Sequence, residues 1–267
     1  MNDFSPAIGT VGGNDFSGRV VAVGSAVHKW QIGDSICGFL YGLDPVPGDL
    51  FMRVVEDKVG MAEAACLGAG VVTAGMALRD LGISLTEGSM SLRDNTGTSG
   101  YSPITTCSPG HNVLVQSYGA VKAFDYAIRA FTKGELSLIL DCITSTESMK
   151  ICYAAMSARG GRYVALEPPA TRIQTARKDV QTGWVMALTI FGKPVDLKGP
   201  FARDAVPGDY EWAAKWYELA EKLVEGGLLR PHPAFARSGG WEDILEGIEE
   251  LRCGLVRGKK LVYAVGE

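Results

Sequence analysis

Hydrophobic and polar positions alternate in short runs over the first third of the chain, as they do in β-strands. Arg19 to Val23 and Ser35 to Phe39 are two such runs, separated by glycine-containing turns. A longer amphipathic stretch, rich in Ala and Leu, extends from Met61 to Leu81 and is followed by Gly82. It predicts one helix that ends where a glycine can adopt a left-handed backbone.

Strand-like and helix-like segments alternate from Tyr101 onward. The predicted strands are Ile104 to Cys107, Lys122 to Tyr126, Leu136 to Asp141, Arg162 to Leu166 and Val185 to Phe191, and the predicted helices are His111 to Tyr118, Ala127 to Thr132 and Thr146 to Ala158. The nearly continuous apolar run from Leu136 to Asp141 is expected for a strand covered on both faces. This alternation indicates βαβ units and a parallel sheet, so the predicted fold class is α/β.

The last segment of the chain contains two amphipathic helices. Apolar residues recur at helical spacing in Tyr210 to Val224 and again in Trp241 to Leu251. Leu261 to Val265 predicts a final strand.

Composition narrows the class of protein. With 46% hydrophobic and 21% charged residues the chain can bury a large core, and a net charge of −4 with scattered Lys and Arg argues against nucleic-acid binding. No apolar run reaches the roughly 18 residues that cross a bilayer, and the first residues do not resemble a secretory signal. Six cysteines without a CxxC pair are typical of reduced thiols. We therefore expect a cytoplasmic protein without nucleic-acid or membrane partners.

The sequence contains no candidate residues for a metal site or for a catalytic nucleophile. A zinc site needs clustered Cys, His and carboxylate ligands, whereas Cys37 stands alone and the three histidines lie in unrelated segments. There is no Gly-x-Ser-x-Gly elbow of a serine hydrolase. The sequence predicts no metal site.

Three segments resemble the medium-chain dehydrogenase/reductase superfamily. Gly13 to Gly24 with Gln31 to Asp34 is similar to the hairpin of its GroES-like catalytic domain. Met61 to Leu78 resembles the helix that leads to the cofactor domain, and Arg159 to Leu166 resembles the strand beneath the nicotinamide. Their order along the chain supports the resemblance more than any one of them does.

A narrower resemblance is to the trans-acting enoyl reductases of fungal polyketide synthases and polyketide–peptide hybrid synthases. It is carried by Thr106-Cys107-Ser108-Pro109, Phe124-Asp125-Tyr126, Leu140-Asp141-Cys142-Ile143-Thr144 and Leu188-Thr189-Ile190-Phe191-Gly192. The resemblance implies a zinc-free, NADPH-dependent monomer that reduces α,β-unsaturated thioesters on the synthase's carrier protein. It also implies three parts: a partial GroES-like domain (1–66), a doubly wound, Rossmann-type cofactor domain (67–207), and C-terminal helices and a strand that close the cleft (208–267).

The end of the second strand of such a cofactor sheet meets the adenosine ribose. An Asp or Glu there selects NAD, but this chain has Cys107 to His111 without a carboxylate, which favours NADPH. A plain loop with Ser108 as helix N-cap is the alternative. The cofactor-binding residues implied by the resemblance are Ser108, Pro109, Gly110, His111, Tyr126, Leu166, Glu167, Arg257 and Gly258. The alternative to cofactor binding is, for Tyr126, a half-buried aromatic ring at a strand end. For Arg257 it is a solvated charge in a turn.

Two segments are implied to contact the substrate. The first is the helical stretch Thr73, Ala74, Gly75, Met76, Ala77, Leu78, Arg79 and Asp80, with Thr73 as its polar group. The second is the apolar stretch Ala187, Leu188, Thr189, Ile190 and Phe191, for which packing in the core is the alternative.

Parts of the family fold have no counterpart in the sequence. The chain starts near Asp3 to Pro6, so we expect the opening strands of the catalytic domain and a cofactor-binding lysine to be missing, and Leu43 to Glu56 to be compressed. The first βα unit of the cofactor domain is also missing. A glycine-rich phosphate loop follows a strand and opens a helix, whereas Asn95 to Gly100 has neither neighbour and is interpreted as a linker.

The missing strand is ordinarily central in the sheet. Its loss leaves two exposed strand edges or forces a new pairing. The alternative functions are a general quinone or alkenal reductase of the same superfamily and a degenerate, non-catalytic relative that binds the synthase.

Overall fold

The computed structural model describes residues 12–42, 44, 50–83, 101–124 and 128–265. In chain order its strands are β1 (Asp15–Arg19), β2 (Ser35–Phe39), β3 (Leu50–Arg53), β4 (Ile104–Thr106), β5 (Lys122–Phe124), β6 (Leu138–Asp141), β7 (Gly161–Ala165), β8 (Val180–Trp184), β9 (Ala234–Arg237) and β10 (Lys260–Tyr263). Its α-helices are α1 (Met61–Ala64), α2 (Gly68–Asp80), α3 (Asn112–Ser117), α4 (Ile128–Phe131), α5 (Thr146–Ala155), α6 (Thr171–Gln174), α7 (Asp209–Glu225) and α8 (Gly240–Arg252). Short 3₁₀ helices span Pro109–His111, Ala187–Phe191 and Gly199–Phe201.

The chain forms two compact units. Unit 1 consists of Met1–Val72, Leu188–Leu197 and Asp204–Glu267, and unit 2 of Thr73–Ala187 and Lys198–Arg203. The three-part division at residues 66 and 207 stays a prediction. None of the described helices is both long enough and apolar enough to cross a membrane.

Unit 1 contains the antiparallel sheet β1–β2–β3 and the parallel pair β9–β10. The predicted strand Arg19 to Val23 is wrong, because the ladder with β2 runs from Asp15 opposite Phe39 to Arg19 opposite Ser35. Beyond Val20 the chain leaves its partner, and Val21 is 84% exposed. The strand β9 was not predicted.

The predicted helix Met61 to Leu81 is divided into α1 and α2 by a turn. The division has two physical causes. The side chain of Asp15 on β1 accepts the amide hydrogen of Ala69 and so caps a new helix. At Gly68 a Cβ would lie 2.1 Å from the carbonyl oxygen of Gly38, so the close approach of this turn to β2 requires glycine.

Helix α7 supplies much of the core of unit 1, as its predicted apolar stripe indicates. Its buried face includes Trp216 and Tyr217. Trp216 Nε1 donates to the carbonyl of Val71 at 2.9 Å, and the Tyr217 hydroxyl donates to the carbonyl of Gly68 at 3.1 Å. Both predicted C-terminal helices are confirmed to within one or two residues.

Unit 2 contains two parallel sheets, β4–β5 and β6–β7–β8. The predicted α/β class with parallel strands is confirmed. In a doubly wound sheet of order 3-2-1-4-5-6, loss of the first strand leaves a two-stranded and a three-stranded piece. Among the described residues β4 and β6 do not pair, as expected for a cofactor domain that lacks its first βα unit.

Strand β6 is covered on one face. Ile139 and Asp141 are buried, whereas Leu140 on the opposite face is 39% exposed. The prediction that this strand is covered on both faces is therefore wrong, since Leu140 is exposed.

The predicted strand Val185 to Phe191 is also wrong. The strand that pairs with β7 is β8, and its last rung is the hydrogen bond from the Val185 amide to the carbonyl of Ala165, 2.9 Å. Ala187–Phe191 then forms a 3₁₀ helix. A short apolar run does not distinguish a buried strand from a buried helical turn by its periodicity.

Candidate cofactor and substrate site

A buried carboxylate lies at the carboxyl end of β6. Asp141 is 4% exposed and accepts four hydrogen bonds. The backbone amides of Ile143 and Thr144 each donate to Oδ1 at 3.0 Å, and the hydroxyls of Ser148 and Tyr163 each donate to Oδ2 at 2.8 Å. These bonds connect the end of β6 with its following turn, with α5 and with β7.

The ionised form of Asp141 is stabilised by its donors. Burial by itself raises the pKa of this carboxyl, but the hydrogen bonds from Thr144, Tyr163, Ser148 and Ile143 outweigh burial and leave the pKa below its ordinary value. Burial and the hydrogen bond to Asp141 raise the pKa of Tyr163. The group is therefore a fixed negative charge with a phenol that stays protonated.

The turn after β6 has a strained backbone at Thr144. Its φ is 54°, in the left-handed region that β-branched residues rarely adopt. The Thr144 hydroxyl donates to the carbonyl of Asp141 at 3.1 Å and accepts from the amide of Leu166 at 3.3 Å. The turn is thus tied to the residue that follows β7.

The predicted ribose-binding segment follows β4. Ser108, Pro109 and Gly110 are exposed and His111 is half-buried. Ser108 occupies the N-cap position of the 3₁₀ helix Pro109–His111, but its side chain makes no capping hydrogen bond. Ser108 thus follows the carboxyl end of β4 with an exposed side chain.

The other predicted cofactor residues lie in both units. In unit 2, Leu166 is half-buried and Glu167 exposed, directly after β7. In unit 1, Arg257 is exposed and its Nε donates to the carbonyl of Gly254 at 3.1 Å, while Gly258 has a positive φ of 65°. Tyr126, Asn95 to Gly100 and Asp3 to Pro6 lie outside the described residues.

The first predicted substrate segment lies within α2. Thr73, Leu78 and Arg79 are half-buried, and Ala74 and Asp80 are exposed. The remaining three, Gly75, Met76 and Ala77, are buried. Thr73 and Ala74 are therefore adjacent accessible positions on this helix, with the Thr73 hydroxyl as a polar group.

The second predicted substrate segment is the 3₁₀ helix Ala187–Phe191. Thr189 and Ile190 are buried, and the Thr189 hydroxyl donates to Asp209 Oδ2 at 2.5 Å. Phe191 packs its ring against Phe39 and Tyr41, with centroids 5.4 and 5.8 Å away. Within this segment, Thr189 and Ile190 are buried in the core, and Phe191 packs with the aromatic rings of unit 1 named above.

The Asp141 network was not predicted from the sequence. The motif Leu140 to Thr144 supported the family resemblance, but no role was assigned to its carboxylate. An available signal was the single acid at the end of an otherwise apolar strand, because a buried charge requires several partners. Among the described residues, no group of three or more His, Cys, Asp or Glu side chains is placed to hold a metal ion.

The parallel strands of unit 2 and the antiparallel sheet of unit 1 define a medium-chain dehydrogenase/reductase fold. A quinone oxidoreductase from Coxiella burnetii superposes with a TM-score of 0.64 at 20% identity, covering 96% of this chain and 79% of that one. The CurK enoyl reductase gives 0.64 at 17% identity, with the same coverages of 96% and 79%. No protein-family model matches the chain.

Sequence relatives narrow this class. The trans-enoyl reductase apdC of Emericella nidulans is 40% identical over 285 residues, covering 98% of this chain and 84% of the relative. The trans-enoyl reductase caaB of Aspergillus niger is 36% identical over 313 residues, covering 99% and 85%. The chain belongs to the trans-enoyl reductase family, as its motifs indicated. Both matches extend over more positions than the 267 residues of this chain, so the relatives carry segments without a counterpart here.

Proposed function

We propose that this protein reduces the carbon–carbon double bond of α,β-unsaturated acyl thioesters with NADPH. It acts in trans, on chains that a polyketide synthase or polyketide–peptide hybrid synthase holds on its carrier protein. We further propose that it works as a monomer in the cytoplasm. The observation that carries the proposal is the similarity to trans-enoyl reductases over nearly the whole chain.

We assign opposite ends of the cofactor to two places in unit 2. After β4, exposed Ser108 and half-buried His111 offer donors, and no carboxylate from Cys107 to His111 opposes a 2′-phosphate. After β7, Leu166 and Glu167 follow a strand end that the Asp141 network holds rigid. We assign the phosphorylated ribose to the first place and the nicotinamide to the second.

The chemistry divides between cofactor and protein. When bound, NADPH would supply the hydride that is added to the β-carbon of the substrate, and a proton from solvent water would be added to the α-carbon. The chain binds and orients: Leu166 offers an apolar surface, and Thr73 offers a hydroxyl to the thioester. No side-chain nucleophile is needed.

A fluorescence titration of the purified chain with NADPH tests the proposal first. We expect saturable binding in the micromolar range, about −8 kcal/mol. Turnover is then measured as NADPH oxidation with a 2-enoyl pantetheine thioester, and with a small quinone as comparison. Turnover of the thioester is the expected result.

Two results would overturn it. Turnover of the quinone alone would identify a general quinone or alkenal reductase. Absence of NADPH binding would favour a non-catalytic relative that binds the synthase. The separation of β4–β5 from β6–β7–β8 supports this alternative.

A further inference from the structure

The left-handed backbone at Thr144 needs an explanation. Glycine adopts a φ of 54° without steric cost, whereas a β-branched residue is an outlier there. Such strain persists only where surrounding contacts fix the residue, and it concentrates at functional sites.

The contacts that fix Thr144 are made by its backbone amide and its side-chain hydroxyl. Its amide donates to Asp141 Oδ1 at 3.0 Å, and its hydroxyl donates to the Asp141 carbonyl at 3.1 Å. The same hydroxyl accepts from the Leu166 amide at 3.3 Å. The Leu166 amide also lies 3.3 Å from the Asp141 carbonyl, so two oxygens share one donor.

The hydroxyl therefore bridges the ends of two parallel strands. The bond from Leu166 extends the β6–β7 ladder by one residue, beyond the last strand pair Asp141 and Ala165. Ile143, next to Thr144 in the same turn, is 74% exposed. The turn thus exposes the apolar side chain of Ile143 at the carboxyl end of the sheet, the end at which Leu166 and Glu167 follow β7.

We propose that Thr144 is a positioning residue for the cofactor, an inference that rests on the proposed function. Its hydroxyl fixes the Leu166–Glu167 backbone and the Ile143 turn in the geometry that receives the nicotinamide. A glycine would supply the backbone conformation alone. The threonine adds the tie between strands.

Three variants separate positioning from folding. Thr144→Gly relieves the strain and removes the hydroxyl, Thr144→Val keeps the branched shape without the hydroxyl, and Thr144→Ser keeps the hydroxyl. We expect Gly and Val to raise the NADPH dissociation constant about fivefold to tenfold, the loss of one net hydrogen bond. We expect Ser to restore parental binding.

Stability and kinetics complete the test. Thr144→Gly should change the urea midpoint of unfolding little, because relief of the strained φ offsets the loss of the hydroxyl's hydrogen bonds. Its KM for NADPH should rise while its KM for a 2-enoyl pantetheine thioester stays within about twofold, since the tie lies on the cofactor side of the site.

The outcomes are distinguishable. Parental NADPH affinity in both the Gly and Val variants would overturn the positioning role while leaving the proposed function intact. Weak binding by the Ser variant as well would also overturn it, because the effect would then not come from the hydroxyl. A parent that fails to bind NADPH would overturn the proposed function and this inference with it.

Discussion

Tyr163 on β7 donates its hydroxyl hydrogen to Oδ2 of Asp141 on β6, across 2.8 Å in the interior of unit 2. Tyr163 stands opposite Ile139 in the parallel ladder, so the bond reaches diagonally toward the carboxyl end of the sheet. A buried carboxylate is costly unless hydrogen-bonded, and here four donors compensate it. The carboxyl end of the sheet, which we propose receives the cofactor, is therefore stabilised by the hydrogen bonds of the Asp141 carboxylate.

Replacing Asp141 should destabilise the fold in a pH-dependent way. Asp141→Asn keeps the size but replaces an acceptor oxygen by a donor, so at least one of the four donors loses its partner. We expect the free energy of unfolding at pH 7 to fall by about 2 to 3 kcal/mol. Urea unfolding measures the change, with Asp57→Asn on an exposed turn as control.

The pH dependence follows from the lowered pKa of Asp141. The stabilisation is complete above the ordinary carboxyl pKa of 3.8 and is lost as the pH falls through the folded-state pKa below it. The difference between parent and Asp141→Asn should therefore shrink below pH 3.8. A difference that is the same at pH 3 and pH 7 would contradict this account.

A carboxylate at position 108 should change the choice of cofactor. Ser108→Asp places a negative charge after β4, where it repels a 2′-phosphate and can accept from a 2′-hydroxyl. We expect the NADPH dissociation constant to rise at least about tenfold and the NADH dissociation constant to fall. Fluorescence titrations with both cofactors measure the ratio.

The matched control for this change is Ser102→Asp. Ser102 is exposed and precedes the same strand, so it introduces the same charge at the opposite end of β4. Equal effects from both variants would indicate a general electrostatic effect and would remove the argument for a ribose site at Ser108.

Two glycines on neighbouring strands should respond differently to alanine. At Gly161 on β7 a Cβ would lie 2.2 Å from the Ser137 carbonyl oxygen, whereas at Gly183 on β8 it would meet nothing within 4 Å. We expect Gly161→Ala to cost about 2 kcal/mol or more through overpacking, and Gly183→Ala to change stability by less than about 1 kcal/mol. Urea unfolding of the pair provides the measurement; similar losses in both would be inconsistent with the close approach at Gly161.

The cysteines should differ strongly in reactivity. Burial raises the pKa of Cys37 to about 12, so it carries almost no thiolate at pH 8, whereas Cys253 is exposed. We expect iodoacetamide to modify Cys253 first and to leave Cys37 unmodified until the protein unfolds. Peptide mass spectrometry over time follows both sites, and labelling in urea serves as control. Early modification of Cys37 in native protein would show that unit 1 is open there.

Several elements were predictable because their signal is local. The strand β2, the helices α7 and α8 and the alternation from β4 to β7 all follow from the periodicity of apolar residues. In α7 this periodicity marks the buried face, whereas Trp241, Ile248 and Leu251 of α8 are exposed. The ribose-binding and substrate residues came from the family resemblance, and their roles remain predictions.

The misplaced elements depended on distant residues. The turn that separates α1 from α2 is set by Asp15, more than fifty residues earlier in the chain. The end of β8 is set by the extent of β7, and apolar residues from Val185 to Phe191 are equally compatible with a strand and a 3₁₀ helix. Neither cause lies within the segment that it shapes.

By itself the sequence determined the α/β class, the family and the absence of an acidic residue from Cys107 to His111, because periodicity and motifs are properties of contiguous residues. Only the tertiary structure decided that Asp141 would be satisfied by four donors and that Thr144 would tie two strand ends together. The physical reason is that a hydrogen bond needs both partners within about 3 Å. Folding alone brings Asp141 to Tyr163 and Thr144 to Leu166, each pair 22 residues apart along the chain.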